Sequence, residues 1–422
     1  MISTHRSTGW AVDPSRWPDI ATVPGSPGRA LIARVLFTSA VGRLPVRVRL
    51  PNGRTLGAGS SAAPVMVLHA PGAFFSRLGA SGLIGFGESY QAGDWDCADL
   101  TGLLTVFAAH VGDLVPPLLQ RARRLAVRMQ PASDDQNAGG ASRNIARHYD
   151  LSNEFFGLFL DETMTYSSAL FETRADGTPV ASEQLLGPAQ RRKIDRVLDL
   201  ARVGPGSRLL EIGTGWGELA IRAAQRGASV RTVTLSARQR ELAAQRVNQA
   251  GLGDRVSVEL RDYRDVAGEF DAICSVEMIE AVGDRYWDTY CTALDRLLAP
   301  GGRVVLQAIT MPHDRMLASR RTYTWIQKYI FPGGQIPSVT AVEYSLGRCT
   351  ELRITERRDF GAHYAETLKI WRDRFRAREG EVIPLGFDEV FIRMWLFYLC
   401  YAEAGFRSGY LDVCHLTLER AR

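Results

Sequence analysis

The stretch LLEIGTGWGELAIRAAQRG, Leu209–Gly227, sets three glycines in a turn between two segments of different character. Leu209–Ile212 is a short apolar run that reads as a strand, and the residues after Gly217 carry apolar side chains at helical spacing. Gly213, Gly215 and Gly217 let the backbone turn sharply and let a ligand come close to the main chain. The helix that follows offers unpaired N–H groups at its start. Strand, glycine turn and helix in that order form the opening unit of a doubly wound α/β sheet.

From Arg143 onward the chain keeps that rhythm. After a helical stretch at about 183–201, the strand-like runs SRLLEIG, VRTVTLS, VSVELRDY, FDAICSVEM and GRVVLQAIT are separated by segments long enough for crossover helices. This predicts a parallel, doubly wound, Rossmann-like sheet over 143–422. The N-terminal part differs. Residues 46–59, VRVRLPNGRTLGAG, read as a β-hairpin around Pro-Asn-Gly, and the first hundred or so residues as a smaller α+β domain. Two helices follow, the second carrying Arg121, Arg123, Arg124 and Arg128. QPASDDQNAGGAS, 130–142, reads as a linker, so the expected domains are 1–129 and 143–422.

Length and composition agree with two domains: 422 residues, 45% hydrophobic, net charge +5. Only three of the 51 basic residues are lysines, Lys193, Lys328 and Lys369. The balance permits an anionic partner, nucleic acid or phospholipid, without requiring one. The six cysteines are scattered with no CxxC pair, which excludes a metal cage of that type and fits a reducing compartment. The N-terminus lacks the apolar core of a signal peptide, and no run approaches the ~18–20 apolar residues of a membrane span. A lipid partner is therefore expected to be met from the cytoplasmic face.

The glycine turn itself leaves two ligands open, a dinucleotide or S-adenosylmethionine, beside a purely structural turn. Its spacing is G-x-G-x-G rather than the G-x-G-x-x-G that accommodates a pyrophosphate. Glu211, two residues before the first glycine, can face the ammonium group of S-adenosylmethionine. The second strand ends in VTLSARQ without an acid, leaving Thr234, Ser236 and Gln239 as the polar groups there.

Six stretches in order, HYDLSNEFFGLFLDETMTYSSALFE (148–172), LEIGTGWGELA, TLSARQ, SVEMIEAVG (275–283), YIFPGG (329–334) and HYAETLKIW (363–371), resemble the cyclopropane-fatty-acyl-phospholipid synthase family of S-adenosylmethionine-dependent enzymes. GLIGFGESYQAGDWDCADL (82–100) is similar to the N-terminal domain of the full-length, phospholipid-modifying members. The resemblance implies an S-adenosylmethionine-dependent methyltransferase domain. It implies that Tyr166 and Ser167 close over the cofactor and that Glu211, Gly213, Gly215, Gly217, Thr234, Leu235, Ser236, Gln239, Asp262 and Tyr263 continue its site. It also implies a bicarbonate at the reaction centre, with ligands mapping to Glu280, Tyr364 and the backbone of Ile309. Ser168 and Gln307 stand where members commonly carry Cys and His, Ala281 where His often follows the Glu, and Ala402 where a Cys is found. Glu277 reads as a strand-end residue near the cofactor rather than a base, and His363 as either packing or functional.

An isolated alkene attacking a sulfonium methyl leaves a carbocation, so the chemistry needs a dry site and a base. Loss of a proton from the new methyl with ring closure gives a cyclopropane; a hydride shift before proton loss gives an exocyclic methylene. The N-terminal entry, VRLPNGRTLG and WIQKYIFPGG are most similar to actinobacterial members forming methylene- or methyl-branched chains, the direction preferred here. The implied partners are phospholipid acyl chains at the inner membrane face, a reductase if a saturated branch is the end product, and a second copy of the chain; nucleic acid is not expected. The rivals are methylation of a small molecule or nucleic acid, and a non-catalytic lipid-binding protein that retains the cofactor site.

Overall fold

The computed structural model describes residues 11–110, 151–320 and 322–421. In it, Arg208–Ile212 forms strand β1, paired in parallel with β2 (Ser229–Thr234) on one side and β4 (Phe270–Val276) on the other. Strand β3 (Val256–Leu260) lies beyond β2, and β5 (Leu298–Thr310) beyond β4. These are the five strands the sequence predicts. Two more complete the sheet: β7 (Asp412–Arg420) runs antiparallel to β5, and β6 (Leu352–Asp359) antiparallel to β7. The order is 3-2-1-4-5-7-6, so the sheet is mixed rather than wholly parallel.

The alternation of side chains across β1 explains why Leu209, Leu210 and Ile212 are all apolar. Leu210 and Ile212 pack in one core with helices α4 (Trp287–Leu297) and α5 (Val339–Cys349). Leu209 packs in the opposite core with helices α1 (Leu186–Leu200), α2 (Glu218–Gln225) and α3 (Ala237–Gln249). A strand covered on both faces favours apolar residues on each, and the buried Glu211 is the exception in β1. The sheet's carboxyl edge is thereby fixed, and loops after β1, β2 and β4 open onto it.

By contacts, the described residues fall into two compact units. One draws on 11–110, Tyr323–Ile330 and Phe375–Tyr410; the other on 151–320, Phe331–Arg374 and 411–421. The chain is thus not divided by a single cut between 129 and 143. Helix Glu389–Arg407 accounts for much of the difference: nearly all its middle is buried, and it packs on helices Leu83–Gln91 and Leu100–Ala109 of the first unit. In that unit the expected hairpin is present, Val48 opposite Leu56 and Arg49 opposite Thr55. The buried Arg77 ties it together, donating to Asp94 Oδ2 (3.0 Å) and to the carbonyls of Asp19, Ile20 and Thr22. The arginine-bearing segment 121–128 and the linker 130–142 lie outside the described residues.

Candidate functional site at the carboxyl edge of the sheet

A cleft opens where β1 gives way to α2. All three glycines of the turn have positive φ, at +97°, +51° and +90°. Gly213 and Thr214 donate their N–H groups to the Val233 carbonyl of β2, which fixes the turn to the sheet. A Cβ on Gly213 would come within 2.7 Å of Met278 Cγ, whereas one on Gly215 would meet nothing. Gly213 therefore serves close approach, and Gly215 leaves open backbone along the cleft wall. Glu211 is buried at the base, with Oε2 lacking a partner among the described residues. Burial pushes its carboxyl up to about 8, against a Thr232 hydrogen bond and the Lys193 charge.

The expected cofactor residues converge on this cleft. Tyr166, Ser167, Thr234, Leu235, Gln239, Asp262 and Tyr263 all line it, as do the first two glycines. Ser236 does not; its hydroxyl caps α3 by accepting from the Gln239 N–H (3.3 Å). Thr234 Oγ1 donates to Gln239 Oε1 (3.0 Å), which holds the Gln239 side chain at the cleft wall. Asp262 caps the turn after β3 and is held by Arg264, so its carboxylate already has a cation. Replacing Ser236 by alanine should cost ~1 kcal/mol of stability, the usual worth of such a cap, and change cofactor affinity less than about threefold. Melting curves and titration would check this; a larger affinity loss would put the hydroxyl on the ligand.

Sequence reasoning missed Lys193 as a site residue. It lies in α1 among the buried Ala189, Gln190, Ile194 and Val197, a lysine inside the apolar stripe, and that misplacement was the available signal. Its Nζ donates to Ser167 Oγ (2.6 Å), anchoring the loop that carries Tyr166. Burial lowers its ammonium to about 8, opposed by the charges of Glu277, Asp161 and Glu211.

Three of the residues expected at the reaction centre, on the loop carrying Ser168, on β5 and on helix α6 (Gly361–Ala377), form one network at the end of β4. Its hub is Glu277, which also lines the cleft. Glu277 Oε1 accepts from the Ser168 N–H (2.9 Å) and from Gln307 Nε2 (2.8 Å). Oε2 accepts from the Tyr364 hydroxyl (2.6 Å). Glu280 sits beside it, and its Oε1 accepts from the Ile309 N–H. Thus Ser168, Gln307 and Tyr364 gather on Glu277, and Ile309 alone of the expected set on Glu280. Glu277 is therefore more than a strand-end residue. His363 accepts the Phe171 N–H at Nδ1 (3.0 Å), and burial lowers its imidazole to about 4, so it holds the loop rather than carrying protons. His148 lies outside the described residues.

The family profile of mycolic acid cyclopropane synthetase matches residues 136–416. The chain is 53% identical to tuberculostearic acid methyltransferase UfaA1 of Mycobacterium tuberculosis, over 99% of both chains. It is 33% identical to the cyclopropane-fatty-acyl-phospholipid synthase of Escherichia coli K12, over 82% of this chain and 86% of that one. Among solved structures, mycolic acid cyclopropane synthase CmaA1 complexed with SAH and CTAB aligns with a TM-score of 0.59 at 31% identity, over 69% of this chain and 99% of that one.

Proposed function

The chain belongs to the mycolic acid cyclopropane synthetase family and is an S-adenosylmethionine-dependent methyltransferase; from that premise, we propose that it methylates the cis double bond of an oleoyl chain in a phospholipid, yielding a methylene-branched chain. The observation carrying the choice is the 53% identity to a tuberculostearic acid methyltransferase over essentially the whole of both chains. A ring-closing synthase is the second reading, favoured by the 33% identity to the E. coli enzyme.

The cleft fits S-adenosylmethionine on its own chemistry. Glu211 presents an unpartnered buried carboxyl oxygen for an ammonium group, and the glycine turn offers backbone where side chains would obstruct. When bound there, the cofactor supplies an electrophilic methyl group. Tyr166 faces the cleft with Phe156 (5.2 Å between ring centroids) and Trp371 (5.3 Å) packed on it. That aromatic wall excludes water from a cation on the acyl chain and can stabilise it by ~0.5–2 kcal/mol per ring. A base must then take one proton from the added methyl, after a hydride shift for the methylene product or with ring closure for the cyclopropane.

Access to the acyl chain is proposed from the inner membrane surface; no helix among the described residues is long and apolar enough to cross a membrane. Helix Pro27–Val41 supports a docking face: Leu31, Ile32 and Val35 are 63%, 61% and 61% exposed, with Arg34 between Ile32 and Val35 and Arg29 two residues before Leu31. Such large apolar side chains side by side on a surface helix suit an interfacial layer. Ile32→Glu should lower binding to anionic oleoyl-phospholipid vesicles severalfold while leaving cofactor affinity unchanged; unchanged sedimentation with vesicles would remove this face from the proposal. A methylene product would need a separate reductase to become a saturated branch, and a second copy of the chain remains an expected partner.

Proton NMR of the fatty acids recovered after incubation with S-adenosylmethionine and oleoyl phospholipid tests the product. Vinylidene protons support the proposal, upfield ring protons select the second reading, and no added carbon overturns both. Mass alone does not discriminate, because both products gain one CH2.

A further inference from the structure

We propose that Glu277 is the base of the reaction, a carboxylate carried by the chain itself at the position where the family resemblance implies a bicarbonate. The inference rests on the proposed methylation of an acyl double bond. Its observation is the direction of the hydrogen bonds. The Tyr364 hydroxyl, one of the groups expected to hold the anion, donates to Glu277, as do the Gln307 amide and the Ser168 N–H from the positions where members carry His and Cys, all at 2.6–2.9 Å. A bicarbonate would have to remove these donors and set a second negative charge beside the first. The residues present do not fit it.

The surroundings hold Glu277 in this role. Its backbone lies at φ +53°, a left-handed conformation that is strained for a non-glycine residue. A glycine there would be free of that cost. Gln307 is oriented in turn by His415, whose Nε2 lies 2.9 Å from Gln307 Oε1. Burial lowers the His415 imidazole to about 3, so it is neutral and donates from Nε2, which points the Gln307 nitrogen at Glu277. Glu280 completes the pair. Burial and the charge of Glu277 push its carboxyl up to about 8, which favours a protonated Glu280 at neutral pH, and the three donors on Glu277 favour the charged form there. Burial also raises Glu277, opposed chiefly by Tyr364 and Ser168, which suits a carboxylate that must accept a proton.

The step balances within the chain. The C–H pair of the added methyl becomes the new C–C bond, π for a methylene or σ for a ring, and quenches the cation. The proton passes to a Glu277 carboxylate oxygen, giving a neutral acid that later returns it to solvent. No external anion is consumed.

The test uses the full chain with oleoyl phospholipid vesicles in buffer freed of carbon dioxide, then with bicarbonate added, together with 13C-bicarbonate binding by NMR. Wild-type turnover should be unchanged by bicarbonate, and 13C-bicarbonate should not bind. Glu277→Gln keeps the volume but cannot take the proton; its turnover should fall about 100-fold or more, with S-adenosylmethionine affinity within threefold. Glu277→Gly, relieved of the backbone cost, should bind 13C-bicarbonate and recover turnover when it is supplied. Wild-type turnover that collapses without bicarbonate, Glu277→Gln at wild-type turnover, or a Glu277→Gly protein that neither binds bicarbonate nor responds to it would each overturn the inference while leaving the methylation intact. A wild-type protein that binds S-adenosylmethionine but adds no carbon in either buffer would overturn the methylation reading, and the base with it.

Discussion

Gly213→Val is expected to weaken S-adenosylmethionine binding by about 10³-fold or more, equivalent to ~4 kcal/mol. Two independent constraints meet at this position. The backbone is at φ +97°, which a β-branched residue does not adopt without strain, and its Cβ would come within 2.7 Å of Met278 Cγ. The methionine can move, but the φ angle can relax only by breaking the Gly213 and Thr214 N–H bonds to Val233. Either response displaces the wall above Glu211. Gly215→Ala is the control, because its Cβ has open space and only the φ of +51° opposes it. Titration of both variants checks the ranking. If valine at 213 binds within tenfold of wild type, the turn is not the cofactor cradle.

Trp371→Ala should destabilise the protein by about 3–5 kcal/mol, the range for removing a large buried aromatic, and lower turnover as well. Trp371 is fully buried in α6 and packs on Tyr166 at 5.3 Å, Phe159 at 6.1 Å and Tyr364 at 6.2 Å between centroids. One side chain thus supports both the tyrosine over the cofactor cleft and the tyrosine bonded to Glu277. Trp371→Phe should be milder, because it keeps part of the packing and removes an indole N–H that has no partner among the described residues. Melting curves and turnover measured on both variants separate the two effects. A loss of stability under 1 kcal/mol in the alanine variant would show that the site collapses around the gap.

Much of this was legible in the sequence because it depends on local chemistry. The turn after Ile212 needs positive φ three times within five residues, and glycine at each place announces it. The five parallel strands declare themselves as short apolar-rich runs at crossover spacing, with β4 and much of β5 covered on both faces. Strands β6 and β7 did not, since LRITERRD alternates toward a polar face and DVCHLTLER begins and ends in charge, so neither carries the apolar signature of a fully covered strand. Lys193 was visible in principle as a charge inside a helical stripe. Glu277 was not. SVEMIEAVG reads as a strand running into a helix, and nothing in those letters shows that the glutamate adopts a left-handed backbone or that donors from residues 168, 307 and 364 meet on it. Such convergence is a property of the assembled sheet.

The threading of the chain has a consequence for how it can be cut. The polypeptide leaves the sheet-bearing unit near Arg374, contributes Phe375–Tyr410 to the other, and returns to lay down β7 as an interior strand. A stop codon after Arg374 would therefore remove a buried helix from one unit and an inner strand from the other. A single protease nick near residue 375 separates no folded part; each unit would keep pieces from both sides of the break. Neither unit is a removable cassette, and gene fragments meant to isolate the catalytic sheet need an internal excision with a joining link rather than a truncation.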